Sequence, residues 1–264
     1  MNFVHRSIPF LFLLFLLSSP IFSQECHKAA WVKTFGGNSA YNGIIDGDRL
    51  PDGRFVVLGT YGNSPLQLDT ITLPAPGSYN IFLGIHDSSG TFHRATLIAY
   101  NSGGYTSMSS IDAGLDGRIH VTGYWNGVST VLGDSLLPPA SRDRMFVTSY
   151  DADLGLRWMR HTPWMSSDAR PWDISGSPDG GVYVGGYYEA NAFGINGEWV
   201  ENYGGWNLWR DDAFLVKFDS TGQVEFLHSI GTPNDESIHT VTADELGDVI
   251  VSGATNQSTG IFKF

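Results

Sequence analysis

Cysteine is all but missing from this chain: Cys26 is the sole one in 264 residues. That excludes an intramolecular disulfide framework and any metal site built from several thiolates. Lysine is scarce too, with Lys28, Lys33, Lys217 and Lys263 set against 27 acidic residues and a formal net charge of −12. A chain so poor in positive charge is a weak partner for nucleic acid or an anionic membrane. His-Glu-x-x-His, Gly-x-Ser-x-Gly, Walker-type and Cys-x-x-Cys patterns are absent, so no recognised catalytic motif announces an enzyme. After the N-terminal stretch there is no further long apolar run, so no transmembrane segment is expected in the mature chain.

The N-terminus itself reads as a signal peptide over residues 1–23. Arg6 supplies the positive region, Ile8 to Leu17 the apolar core, and Ile21-Phe22-Ser23 a cleavage site ending in a small residue. Pro9 and the shortness of the run argue against a membrane span. The expected mature domain is 24–264, exported to the extracellular space or cell surface, with the periplasm as the alternative. Cys26 lies near this cleavage site, but Ser23-Gln24-Glu25 does not resemble the approach to a lipidated cysteine.

What the chain has in quantity is glycine, 32 in all, and it is periodic. The phrase Gly-x-x-x-Val-x-Gly occurs at Gly53–Gly59, Gly117–Gly123, Gly180–Gly186 and Gly247–Gly253, its first glycines 64, 63 and 67 residues apart. A fixed period of that size in a β-rich sequence indicates an array of sheet units. Turn signals such as Pro51-Asp52-Gly53 and Pro178-Asp179-Gly180 precede the phrase, so its first glycine opens the second strand of each unit. A third strand follows with Phe82, Phe146 or Phe214, each five residues before an aspartate (Asp87, Asp151, Asp219) that begins an Asx-type turn. A fourth strand then carries Phe92, Trp158 or Phe226.

Four short antiparallel strands per repeat, arranged radially, describe a β-propeller. Trp31-x-Lys33-x-Phe35-Gly36-Gly37, a hairpin ending in Val-x-Gly, and Asp212-Ala-Phe-Leu-Val-Lys-Phe-Asp219 resemble the secreted bacterial β-propeller repeats of the SBBP type. The resemblance covers nearly all of the mature chain, is looser in the first two repeats, and implies architecture and export rather than an activity. The expected repeats are 38–100, 101–162, 163–231 and 232–264. Residues 31–37 serve as a spare fourth strand that would pair with Ile261 to Phe264 and close the ring; otherwise the chain is a fragment of a larger propeller.

The histidines have no common offset, and strand positions explain them better than metal ligation. Counted back from the first glycine, Asp46 and Asp173 lie at seven residues, Asp112 at five and Asp244 at three, which reads as no ring in register. No cofactor is indicated. Calcium is the one ion faintly suggested, by Asp46-Gly47-Asp48, but Leu50 stands where a further oxygen ligand would be needed. Aromatics give the one constellation with a functional look. Tyr61, Tyr124-Trp125 and Tyr187-Tyr188 leave the second strands, and a long insertion carries Trp199, Tyr203, Trp206 and Trp209. Tyr41, Tyr105 and Trp164 sit in loops at the same end.

Flat rings with polar tips suit carbohydrate or protein partners. The expected ligand-binding residues are therefore Tyr124, Trp125, Tyr187, Tyr188, Trp199, Trp206 and Trp209, with no catalytic and no metal residue assigned. The bland counterpart is that these rings cap the sheets. The expected function is a non-catalytic binding or surface-scaffold propeller. The alternatives are a polysaccharide-cleaving enzyme using Asp211, Asp212 or His161, or a structural segment of a longer secreted protein.

Overall fold

The first glycine of each phrase takes a left-handed backbone, with φ of +90° at Gly53, +80° at Gly117, +79° at Gly180 and +87° at Gly247. Only glycine adopts this freely, and the chain turns there into a strand in all four repeats. The computed structural model describes residues 31–35, 42–163, 168–189, 191–203, 210–255 and 258–263, and these contain strands but no helix. Residues 1–23, read from the sequence as a signal peptide, lie outside the described residues. No helix among the described residues is long and apolar enough to cross a membrane.

The chain is all-β and every ladder is antiparallel. The first repeat comprises β1 (Gly43–Arg49), β2 (Phe55–Tyr61), the small hairpin β3 (Leu66–Leu68) and β4 (Ile71–Leu73), then β5 (Tyr79–His86) and β6 (Phe92–Asn101). The second comprises β7 (Gly104–Ala113), β8 (Ile119–Gly127), the hairpin β9 (Thr130–Leu132) and β10 (Ser135–Leu136), then β11 (Ala140–Tyr150) and β12 (Leu156–His161). The third comprises β13 (Ala169–Gly176), β14 (Val182–Tyr188), the hairpin β15 (Ala192–Ile195) and β16 (Glu198–Glu201), then β17 (Asp212–Phe218) and β18 (Val224–Ile230). In the fourth, β19 (Glu236–Ala243), β20 (Val249–Thr255) and β21 (Ser258–Lys263) form a three-stranded sheet. Repeats pack side by side in chain order through their first strands, β1 on β7, β7 on β13 and β13 on β19.

The last glycine of the phrase has a packing role. Gly59, Gly123 and Gly186 pair across the ladder with Phe82, Phe146 and Phe214. A Cβ at these glycines would stand 2.5, 2.9 and 2.9 Å from the phenylalanine rings, so the missing side chain makes room for a ring that is fully buried in each repeat. In the fourth repeat Gly253 faces Gly260 instead. The turns after the third strands follow the expected aspartate design. Asp87, Asp151 and Asp219 each accept two backbone N–H bonds of 2.8–3.1 Å from the residues two and four places on.

Two expectations need correction. The segments after the second strands are not open loops: each forms a hairpin that buries apolar residues, Leu66 and Leu68, Leu132, or Phe193 and Ile195. The second repeat's hairpin even joins the first repeat's sheet, β9 pairing with β6. Residues 31–35 form no strand, and β21 has β20 as its one strand partner among the described residues. Instead Lys33 donates to the carboxylate of Asp69 and to the carbonyl of Gly90, and Phe35 packs edge-on against Phe82 and Phe92 of the first repeat.

Three of the four aspartates, Asp46, Asp112 and Asp173, fall into register once two offsets are taken together, whereas Asp244 belongs to its own turn. Each first strand carries a bulge that leaves out Ile45, Ser109, Trp172 or His239, eight residues before the phrase. The position after it is Asp46, Ser110, Asp173 or Thr240, and two further on stand Asp48, Asp112, Ser175 or Thr242. All eight side chains carry oxygen, and those of the first three repeats tie each repeat to the next. Asp46 accepts from the backbone N–H of Ile111 (3.0 Å) and Asp48 from Ala113 (2.8 Å). Asp112 accepts from Gly176 (2.7 Å), Asp173 from Val241 (2.8 Å) and Ser175 from Ala243 (3.1 Å). These acids act as hydrogen-bonding staples between first strands, whose N–H groups on that side have no ladder partner.

One staple is strained electrostatically. Burial pushes the Asp112 carboxyl up to about 6, with Asp48, Asp173 and Asp46 adding repulsion against the opposing Gly176 N–H. A carboxyl raised above its unfolded value near 3.8 favours the fold below that value and loses this advantage as pH rises through about 6. Asp112→Asn keeps an acceptor for Gly176 and removes the charge. Unfolding in urea should show the variant gaining on the wild type by about 2 kcal/mol between pH 4 and pH 7; a constant difference across that range would contradict this.

Candidate binding site

The two aromatic positions at the end of each second strand have opposite fates. The strands continue beyond the last glycine, so side chains keep alternating. Tyr61, Trp125 and Tyr188, two residues past that glycine, share its inward face and are 1%, 0% and 0% exposed. They anchor the structure: Tyr61 Oη donates to Pro74 O (2.5 Å) and Trp125 Nε1 to Pro138 O (3.1 Å), the carbonyls belonging to the segment after each small hairpin. Tyr188 Oη bonds Ser229 Oγ at 2.7 Å. Trp125 and Tyr188 are thus corrected from binding residues to core residues.

Tyr124 and Tyr187, one residue past the glycine, are half-buried, and Tyr124 lines a cleft where the second and third repeats meet. Arg170 on β13 is its centre. The guanidinium lies 5.2 Å from the Tyr124 ring centroid and is clamped by Asp143 at 2.5 Å, and its charge acts on the nearby Tyr187 hydroxyl. Tyr105 packs 5.9 Å from Tyr124 and is 54% exposed. Trp172, thrown out of the ladder by the β13 bulge, is 49% exposed and lies 6.4 Å from Tyr187 and 5.7 Å from His239. Ser107, Met108, Ser109 and Pro171 complete a cavity of about 180 Å³. Ser109 Oγ donates to Pro171 O at 2.7 Å, fixing the two first strands beside it.

The electrostatics are acidic around this fixed cation. Arg170 also lies 3.9 Å from Asp168. Asp211, at the same end of the third sheet, has its carboxyl pushed up to about 6, first by burial, then by Asp235, Glu189 and Asp168. Burial and then the Tyr105 hydroxyl push Tyr124 up to about 12, so Tyr124 stays a neutral donor at physiological pH.

The remaining candidates fall elsewhere. Trp199 is 55% exposed on β16, paired with Gly194 in its hairpin. Trp206 and Trp209 lie outside the described residues, as do Tyr41 and Trp164. Asp212 is fully buried and accepts from the backbone N–H of Tyr203 (2.6 Å), and His161 packs edge-on against Trp125. Among the described residues no group of three or more His, Cys, Asp or Glu is arranged to hold a metal ion. Reasoning from sequence missed Arg170 and Trp172; the offset of Trp172, shared with Ile45, Ser109 and His239, was the available signal.

No protein-family model matches the chain, and no curated protein matches it in sequence. Among solved structures, a glucose dehydrogenase aligns over 85% of this chain and 81% of its own at 11% identity and a TM-score of 0.33. A crystal structure of glucose dehydrogenase aligns over 87% and 84% at 10% identity and a TM-score of 0.32.

Proposed function

We propose that this chain is an exported, propeller-type repeat protein that works as a binding module, recognising a neutral glycan at the Arg170 cleft. The exposed ring of Trp172 lining a small cavity, with the exposed Tyr105 packed on Tyr124 beside it, carries this reading. A volume of about 180 Å³ is below the range of roughly 300–1,000 Å³ typical of enclosed small-molecule sites, so the cleft suits one protruding ring of a longer ligand. Anionic ligands are disfavoured because Asp143 already matches the Arg170 charge and Asp168 adds a further acid. Flat aromatic faces with hydroxyl and guanidinium donors beside them suit the apolar faces and hydroxyl edges of a sugar. The N-terminal stretch and the SBBP-type repeats support export; neither bears on the ligand.

Calorimetry against a panel of neutral and anionic oligosaccharides tests this. Trp172→Ala should weaken binding of whichever neutral glycan is retained by about tenfold or more, with the thermal midpoint little changed. Equal affinity in wild type and variant would refute the site. Polysaccharide cleavage is the second reading, favoured by the raised Asp211 carboxyl, which could hold a proton for a leaving group. Release of reducing ends that disappears in Asp211→Asn would establish it over simple binding.

A further inference from the structure

The staples that join the repeats are left open at both ends of the array. On β1 no preceding repeat supplies acceptors among the described residues, and the two N–H groups concerned turn to the side chain just before them: Gly47 N–H to Asp46 Oδ1 (2.8 Å) and Arg49 N–H to Asp48 Oδ1 (2.6 Å). The equivalent groups in the other repeats, on Ile111, Ala113, Gly176, Val241 and Ala243, bond the repeat before. At the other end Thr240 and Thr242 occupy the acceptor positions on β19 and are exposed.

Apolar burial fails at the same two faces. Ile44 is 46% exposed, whereas Met108, Pro171 and Ile238 at its equivalent positions are buried. Ile250 is also 46% exposed, whereas Val56, His120 and Tyr183 at its equivalents are buried against the following repeat. One face thus lacks acceptors and the other lacks donors. Each lacks an apolar cover of the kind the other presents.

Lys33 gives an independent sign. Arg160, in the fourth strand of the second repeat, donates to the carbonyl of Gly222 in the third repeat's turn at 2.8 Å. Lys33 donates to the carbonyl of Gly90, the matching glycine of the first repeat, at 2.7 Å. Lys33 therefore sits on the first repeat as a fourth strand of a preceding repeat would.

We propose that two copies of this chain close head to tail, the β19–β20 face of each seating on β1 of the other. Thr240 and Thr242 then accept from the partner's β1 backbone, and Ile44 and Ile250 become buried. The segment holding Lys33 lies along the partner's β21 as its fourth strand. Two four-repeat arcs give an eight-repeat ring, within the range in which such arrays close. The contact is between unlike faces, so it occurs twice in one two-fold dimer. No ligand at the aromatic cleft is required.

Sedimentation equilibrium of the full exported chain tests this. The mass of two chains at micromolar concentration is expected. Ile44→Asp and Ile250→Asp, each at an exposed position, should raise the dissociation constant about 30-fold or more while leaving circular dichroism and thermal midpoint of the monomer near those of the wild type. An equimolar mixture of the two variants should recover association, because one of its two contacts has both faces intact. A monomeric wild type, an open series of larger species, a dimer indifferent to both substitutions, or no recovery in the mixture would each overturn the proposal.

Discussion

Trp125→Ala should cost about 3–5 kcal/mol of unfolding free energy, the range for truncating a buried large aromatic. The ring is fully buried, contacts Phe146 and His161, and its Nε1 holds the chain at Pro138 after the second repeat's hairpin. A loss that large is a substantial part of the roughly 5–15 kcal/mol available to a domain. Urea unfolding followed by circular dichroism measures it. Tyr124→Ala, one residue earlier and on the half-exposed side, should cost about 1 kcal/mol or less. A small loss for Trp125 with a large loss of ligand affinity would return it to the binding site and refute its role as an anchor.

His120→Leu is expected to stabilise the protein, most of all in acid. Both ring nitrogens are buried without a hydrogen-bond partner, and burial pushes the imidazole down to about 4. A histidine lowered below its unfolded value near 6.5 supports the fold above that pH and loses the contribution as pH falls through about 4. The displacement corresponds to about 3 kcal/mol. Leucine fits an equivalent row occupied by Val56, Tyr183 and Ile250, and removing the unsatisfied ring adds about 1 kcal/mol at neutral pH. Asp112 works in the opposite direction between about pH 4 and 6, so the two partly offset in the wild type. Thermal midpoints of His120→Leu should therefore rise between pH 6 and pH 4, where those of the wild type change little. A midpoint that falls over this interval, as for an ordinary acid-sensitive fold, would contradict both assignments.

Much of this architecture was legible because it depends on local chemistry. A left-handed glycine has few substitutes, so the first glycine of each phrase marks a turn wherever it recurs. The aspartate turns after the third strands are equally local, closed by bonds to residues two and four places on. The aromatic site was only half legible, and the reason is parity. The sequence suggests that strand two ends at its last glycine, whereas β8 runs on to Gly127 and β14 to Tyr188. Alternation then sends Trp125 and Tyr188 inward while Tyr124 and Tyr187 stay half-buried, Tyr124 at the cleft. Arg170 and Trp172 become functional candidates only through neighbours distant in sequence.

The acid staples divide in the same way. Two oxygen-bearing positions per repeat were present in the letters, at fixed offsets from the phrase, but acid, serine and threonine alternate there and no single residue type repeats. Their common task depends on a bulge that places them against the N–H groups of the adjoining first strand. By itself, then, the sequence determined the period, the all-β class, the turns and the phenylalanine that needs a glycine opposite, because each follows from backbone conformation or a near neighbour. Tertiary structure alone decided which aromatics reach solvent, which acids join repeats, and that β1 and β19 are left bare, because burial and pairing between repeats are fixed by residues some sixty positions apart.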